Sequence, residues 1–130
     1  MILLDTHVVI WLGLEPNRIS KNARAAIDQA RQNAGGLAIS DMTLLELARI
    51  THLGRLDFRT SLESFLSDVE RKFVVLPMTG RICMEAVSLP SSYPKDPSDR
   101  VIGATALVEG LSLLTADREI RQSGAVPTIW

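Results

Sequence analysis

A chain of 130 residues, 46% hydrophobic and 22% charged, is long enough for one good core and reads as a single globular domain over 1–130. A net charge of −1 excludes a broadly basic surface that coats nucleic acid, so any such binding needs a local patch. The one cysteine, Cys83, excludes an internal disulfide and a cysteine-based zinc site, and no stretch reaches the ~18 apolar residues of a membrane span or resembles a signal peptide, so the expected location is the cytoplasm, with no membrane contact.

Met1–Asp5 reads as an apolar strand ending in an acid. Thr6 to Leu14 turns into a short helix closed by Glu15-Pro16-Asn17. His7 at its start is taken as a hydrogen-bonded structural residue, and Trp11 as core or an interface anchor. Ser20 caps an amphipathic helix with Ala23, Ala26, Ile27, Ala30 and Ala34 along one stripe, ended by Gly35-Gly36. Leu37–Ile39 is a second strand, and a helix opens directly after it at Ser40-Asp41.

Glu46 in that helix sits among Leu44, Leu45, Leu47 and Ala48. A capping box from Thr43 to Glu46 would explain it without chemistry. Helical side chains lean toward the N-terminus, however, which carries Glu46 back toward the strand end. His52 is expected at the surface. Residues 54–58 link to a further helix, Ser61 to Arg71, with Leu62, Phe65, Leu66 and Val69 inward.

Phe73–Leu76 reads as a third buried strand ended by Pro77. Thr79 opens a helix with Ile82, Cys83, Ala86, Val87 and Leu89 expected inward, Cys83 as a small core residue. After the loop 90–95, Asp96-Pro97-Ser98-Asp99 has the grammar of a helix start: cap, proline at the first position, acid in the first turn. Gly110 ends that helix, and Leu111–Leu114 is a buried strand leading to Thr115-Ala116-Asp117. A short helix then runs to Gly124, and Val126–Trp130 is a last strand, placed at an edge by Pro127. Alternating strands and helices predict a three-layer α/β/α sandwich with a mainly parallel central sheet.

Each acid has a structural explanation of its own. Asp96 could be only a cap, Asp99 a first-turn residue favouring the helix dipole, and Asp117 a cap for the following helix. Geometry favours more. In a parallel sheet the C-terminal strand ends lie on one edge, where ligands bind, so acids at several ends converge there. Converging carboxylates repel unless a cation lies between them, and hard cations such as Mg²⁺ take oxygen ligands.

Four motifs in order, LLDTHVVIW, SDMTLLELA, DPSDRVIGATA and LSLLTADREI, resemble PIN domains over nearly the whole chain, and more narrowly the VapC-type toxins of bacterial toxin–antitoxin pairs. The resemblance implies a metal-dependent ribonuclease with an acidic quartet at Asp5, Glu46, Asp99 and Asp117. Asp5, Asp99 and Asp117 would hold one or two Mg²⁺ or Mn²⁺ ions, directly or through water, with Thr6, Asp96 and Thr115 as neighbours. Glu46 would ligate a second ion or orient the attacking water. Lys95, Arg100 and Arg118 flank the acids and are candidates for contacts to an RNA substrate's phosphates. The resemblance also implies a cognate antitoxin partner and a homodimer. Two positions depart from the family: many relatives carry an aromatic where Ser98 stands, and Asp41 adds an acid before the second motif. Two other classes stay open, a non-catalytic PIN-like binding module and an aspartyl-nucleophile phosphatase. The phosphatase needs a second acid two residues after the first, where this chain has His7.

Overall fold

The computed structural model describes residues 1–33, 35–54 and 60–130. Ala34 and most of the 54–58 link therefore lie outside the described residues. The strands are β1 (Ile2–Leu4), β2 (Leu37–Ser40), β3 (Val74–Leu76), β4 (Leu113–Leu114) and β5 (Thr128–Ile129). The helices are α1 (Thr6–Leu14), α2 (Lys21–Gln32), α3 (Asp41–His52), α4 (Leu62–Lys72), α5 (Gly80–Ser88), α6 (Pro97–Glu109) and α7 (Arg118–Ser123), with a short 3₁₀ turn at Pro16–Arg18. None of the described helices is long and apolar enough to cross a membrane.

Most helices begin where a short polar side chain takes up a free amide. Ser20 accepts from Ala23, Ser61 from Ser64 and Thr79 from Ile82, at 3.1–3.2 Å. Gly110 ends α6 in the left-handed region at φ 66°, and the next amide bonds back to the Ala106 carbonyl at 2.8 Å. The capping box that would have explained Glu46 without chemistry does not form in α3. Ser40 caps that helix by accepting from Met42, which leaves Thr43 buried inside the first turn. Asp41 accepts from the Met78 amide at 3.0 Å and ties the start of α3 to the loop after β3.

The sheet order is β3-β2-β1-β4-β5, and every pairing is parallel. Alternation along the strands builds the layers. Leu4, Ile39 and Leu114 face α1, α2 and α4, packing with Val8, Ile27 and Val69. Leu3, Ala38 and Leu113 face the other way, toward Ile102 and Ala106 of α6 and Ile120 of α7. The result is the expected three-layer α/β/α sandwich. All strand ends point to one edge, and the order reverses at β1, which has β2 on one side and β4 on the other.

Three expectations about burial need correction. Cys83 is exposed, and Val87 is 82% exposed. Helix α5 packs on α6 through the stripe Ile82 and Ala86, so the neighbouring stripe carrying Cys83 and Val87 has none of the described helices against it. The strand β3 is not buried either: it is an edge strand, and Val74 is 45% exposed. Trp11 is half-buried and leans on Trp130, with ring centroids 5.8 Å apart.

One contact fixes how close the 90–95 loop comes to α6. Tyr93 is 1% exposed and donates its hydroxyl to the Asp99 carbonyl at 2.9 Å. Its ring lies over Gly103, where an added Cβ would stand 2.7 Å from the Tyr93 Cζ. Gly103→Ala is therefore expected to destabilise the fold by ~1–3 kcal/mol of overpacking, although alanine is the better helix former by ~1 kcal/mol. Tyr93→Phe should cost only the hydrogen bond, about 0.5–1.5 kcal/mol. Urea unfolding of both variants checks the contact: a Gly103→Ala protein as stable as the parent would mean that Tyr93 yields freely.

Candidate active site

Asp5 follows β1 directly and is only 7% exposed. One of its oxygens accepts from the Thr6 amide at 2.8 Å, capping α1, and the other accepts from Thr115 Oγ1 at 2.7 Å. Its own amide donates to the Leu114 carbonyl at 3.0 Å, which fastens the end of β1 to the end of β4. Burial raises the Asp5 pKa above the ordinary carboxylate value, and the nearby Asp117 charge adds to the rise, against the lowering effect of the two donors.

Thr115 also receives the Asp117 amide at 3.1 Å, so one hydroxyl joins the first acid to the last. Asp117 caps α7 with one oxygen, accepting from Ile120 at 3.0 Å, and is otherwise exposed. On the other side of Asp5, Thr6 donates to Glu46 Oε1 at 2.7 Å and stands 3.1 Å from the Thr43 hydroxyl, which leaves Thr43 to donate to Thr6. Glu46 is half-buried, and burial followed by the Asp5 and Asp96 charges raises its pKa.

Asp96 is exposed and caps α6, accepting from the Ser98 and Asp99 amides at 2.8 and 3.3 Å. Asp99 lies one turn in and is half-buried, and its carboxylate accepts no hydrogen bond from the described residues. Burial first, then the charges of Asp5, Asp96, Glu46 and Asp117, push its pKa up to about 7. An open cleft of about 250 Å³ is lined by Asp5, Asp99 and Asp117 together with His7, Trp11 and Ala116. Glu46 is not in that lining and joins the cluster through Thr6.

The basic candidates divide. Lys95 and Arg118 are exposed and form no ion pair with the described residues. Arg100 is engaged elsewhere. Its guanidinium donates to the carbonyls of Ala86, Leu89, Pro90 and Tyr93 at 3.0–3.5 Å and fastens the loop between α5 and α6. Sequence reasoning missed Thr43 and the place of His7 and Trp11 in the cleft wall. The offset of four between the two rings on α1 was the available signal.

The acids crowd with no ion-pair partner among the described residues, although the His7 ring favours the charged forms of Asp5 and Glu46. Among the described residues the ion pairs are Arg18–Glu15 and Arg71–Asp68, and neither reaches the cleft. Among the same residues no three His, Cys, Asp or Glu side chains converge closely enough, as they stand, to hold a metal ion between them. The donor set nevertheless suits a hard divalent cation. It is all oxygen, partly buried and mutually repelling, and it has threonine hydroxyls for hydrogen-bonding neighbours.

The chain has relatives among known proteins. It is 37% identical over 120 residues to a protein described as Ribonuclease VapC22 of Mycobacterium tuberculosis, covering 92% of this chain and 89% of that one. The fold superposes on the VapBC2 structure from Rickettsia felis, bound to a DNA fragment from their promoter, with a TM-score of 0.73 at 16% identity over 98% of this chain and 97% of that one. It also superposes on VapBC-5 from Mycobacterium tuberculosis, a member of the VapBC family of toxin-antitoxin systems, at 0.61 and 22% over 98% and 94%. The PIN domain matches residues 2–125, nearly the whole length, and the protein belongs to the PIN-domain family.

Proposed function

We propose that this protein is the toxin of a toxin–antitoxin pair, an endoribonuclease that hydrolyses RNA phosphodiester bonds at the acidic cleft with the help of Mg²⁺ or Mn²⁺. One observation carries the reading. Asp5, Glu46 and Asp99 have raised pKa values at a single sheet edge, with no cation of the described residues paired to them. Such a site is costly to keep unless a divalent cation and a phosphate chain use it. The 37% identity to a ribonuclease supports the choice of substrate.

Asp5, Asp99 and Asp117 would hold the cation, with Asp96 beside them, and contacts through water or a change of rotamer would complete its shell. Bound there, the ion supplies a more acidic water and neutralises charge gathering on the phosphorus centre. The chain's own residues set the geometry. Thr115 and the Thr6 amide fix both oxygens of Asp5, and Thr6 fixes Glu46, which either holds a second cation or orients the attacking water. Lys95 and Arg118 are the exposed cations that would meet the phosphates, whereas the Arg100 donors are already engaged on backbone carbonyls. An antitoxin and a second copy of this chain complete the proposed partners. The VapBC-5 structure of like fold, a member of a family of toxin-antitoxin systems, supports the antitoxin.

RNA cleavage is expected in Mg²⁺ or Mn²⁺, with none in EDTA or with Asp5→Asn, while the exposed Asp28→Asn in α2 behaves as the parent. Thr115→Val, which frees one oxygen of Asp5, should lower activity ~10–100-fold, as loss of a group that orients a ligand does. Full activity of Asp5→Asn would sink the proposal. In cells, expression without the antitoxin should arrest growth, and Asp117→Asn should relieve the arrest. Equal toxicity of both versions would mean that it arises elsewhere.

Melting against pH tests Asp99. In EDTA the unfolded chain ionises this group near 3.8, while the folded protein keeps it protonated up to about 7. Its contribution to stability is thus complete below 3.8 and is lost as pH rises through about 7. Asn cannot ionise, so the Tm of Asp99→Asn relative to the parent should climb across that window. Mn²⁺ should narrow the gap by stabilising the parent through mass action. A uniform loss of ~0.3–1 kcal/mol with and without metal would instead mark a residue that only favours the helix dipole.

A further inference from the structure

A second hollow, of about 260 Å³, adjoins the acidic cleft between α1 and α3. Ile10, Leu14 and Ile50 give it an apolar lining, and Leu14 is 44% exposed. The two hollows meet at two rings, because His7 and Trp11 line both of them. The rings are braced by their neighbours, Arg18 from within the hollow itself. His7 and Trp11 have centroids 6.1 Å apart, Trp130 leans on Trp11, and Arg18 Cζ lies 4.2 Å from the centre of the Trp11 ring. Glu15 pairs with Arg18 at 3.1 Å and also lines the hollow.

We propose that this second hollow is a nucleobase subsite, in which the base next to the phosphate being cut rests against His7 and Trp11. The inference stands on the ribonuclease reading above and adds a residue that sets specificity to it. An unpaired base has two apolar faces and a polar edge, and proteins that read single-stranded RNA meet the faces with aromatic rings. Here the rings stand between the acids that would act on the phosphate and a hollow of a size to take a one- or two-ring heterocycle. The Glu15 carboxylate accepts from the amino and imino groups of a base edge, and the Arg18 guanidinium donates to its ring nitrogens and carbonyls. An apolar peptide would explain Ile10, Leu14 and Ile50. It would leave unexplained why the hollow shares its two rings with the acidic cleft.

The test uses the two tryptophans of the chain. Trp130→Phe leaves Trp11 as the sole reporter. Its fluorescence, recorded in Mg²⁺ on mixing and before turnover, should be quenched by a short unstructured oligoribonucleotide of mixed sequence. An abasic oligomer of the same length should not quench it. In cleavage assays Trp11→Leu should raise KM by roughly 5–150-fold, the range that loss of one stacked base implies, and alter which bonds are cut. Trp11→Phe should restore both, and kcat should change little. RNA cleavage with unquenched Trp11 and an unchanged KM and cut pattern in Trp11→Leu would overturn the subsite and leave the ribonuclease reading standing. Should Trp11→Leu fail to fold, the quenching experiment decides alone. Quenching by the antitoxin but not by RNA would assign the hollow to a protein partner and likewise overturn it. Absence of any RNA cleavage by the parent protein would remove the ribonuclease reading, and the subsite with it.

Discussion

Asp5 has to keep a carboxylate almost wholly out of water at the point where the order of the strands reverses. The surrounding residues do this chiefly with hydroxyls and an amide. Thr115 reaches across from β4 to one oxygen, and the Thr6 amide takes the other. The same threonines pass the ordering outward, Thr115 to the Asp117 backbone and Thr6 to Glu46. These neutral donors orient the carboxylates and favour their charged forms, but burial outweighs them, so the acids stay hard to ionise. Oxygen donors of this kind are the ones hard divalent cations prefer.

Asp99 reaches the same edge by a different route, from a helix start instead of a strand end. Its place depends on how α6 is anchored. Arg100 ties the preceding loop together through backbone carbonyls, and Tyr93 from that loop holds the Asp99 carbonyl while its ring packs over Gly103. A larger residue at 103 would push the loop from the helix that carries the acid. The guanidinium thus supports the site, with its donors directed at backbone carbonyls.

Capping and site membership turn out not to be alternatives. A carboxylate has two oxygens, and a helix cap needs one. Asp117 caps α7 with Oδ1, and Asp5 caps α1 with one oxygen while Thr115 takes the other, yet both residues line the cleft. The helix starts that follow β1 and β4 therefore place acids at the C-terminal edge of the sheet as a matter of local geometry. Asp96 shows the other outcome: it caps α6 from an exposed position and acts on the cluster only through its charge.

The sequence by itself determined the strand–helix alternation, the three-layer parallel sandwich, the caps and the residues of the acidic edge. These follow from short-range rules: apolar periodicity, turn residues, and acids at the ends of apolar runs. Four motifs in order also placed the chain among PIN domains. Only the tertiary structure decided which faces were covered. Cys83 and Val87 obey the helical period as well as Ile82 does, but α5 packs on α6 along one stripe, and nothing in the local pattern says where the cover stops. The strand β3 looked buried because its residues are apolar, whereas its place at the sheet edge depends on strand order. The capping box at Thr43 was a sound local pattern overruled by Ser40 one turn earlier, which freed Thr43 for a hydrogen bond to Thr6, 37 positions away in sequence. Arg100 and the His7–Trp11 pair were decided in the same way. What a side chain does is set by which distant backbone or ring it meets, and that information is spread over the whole fold.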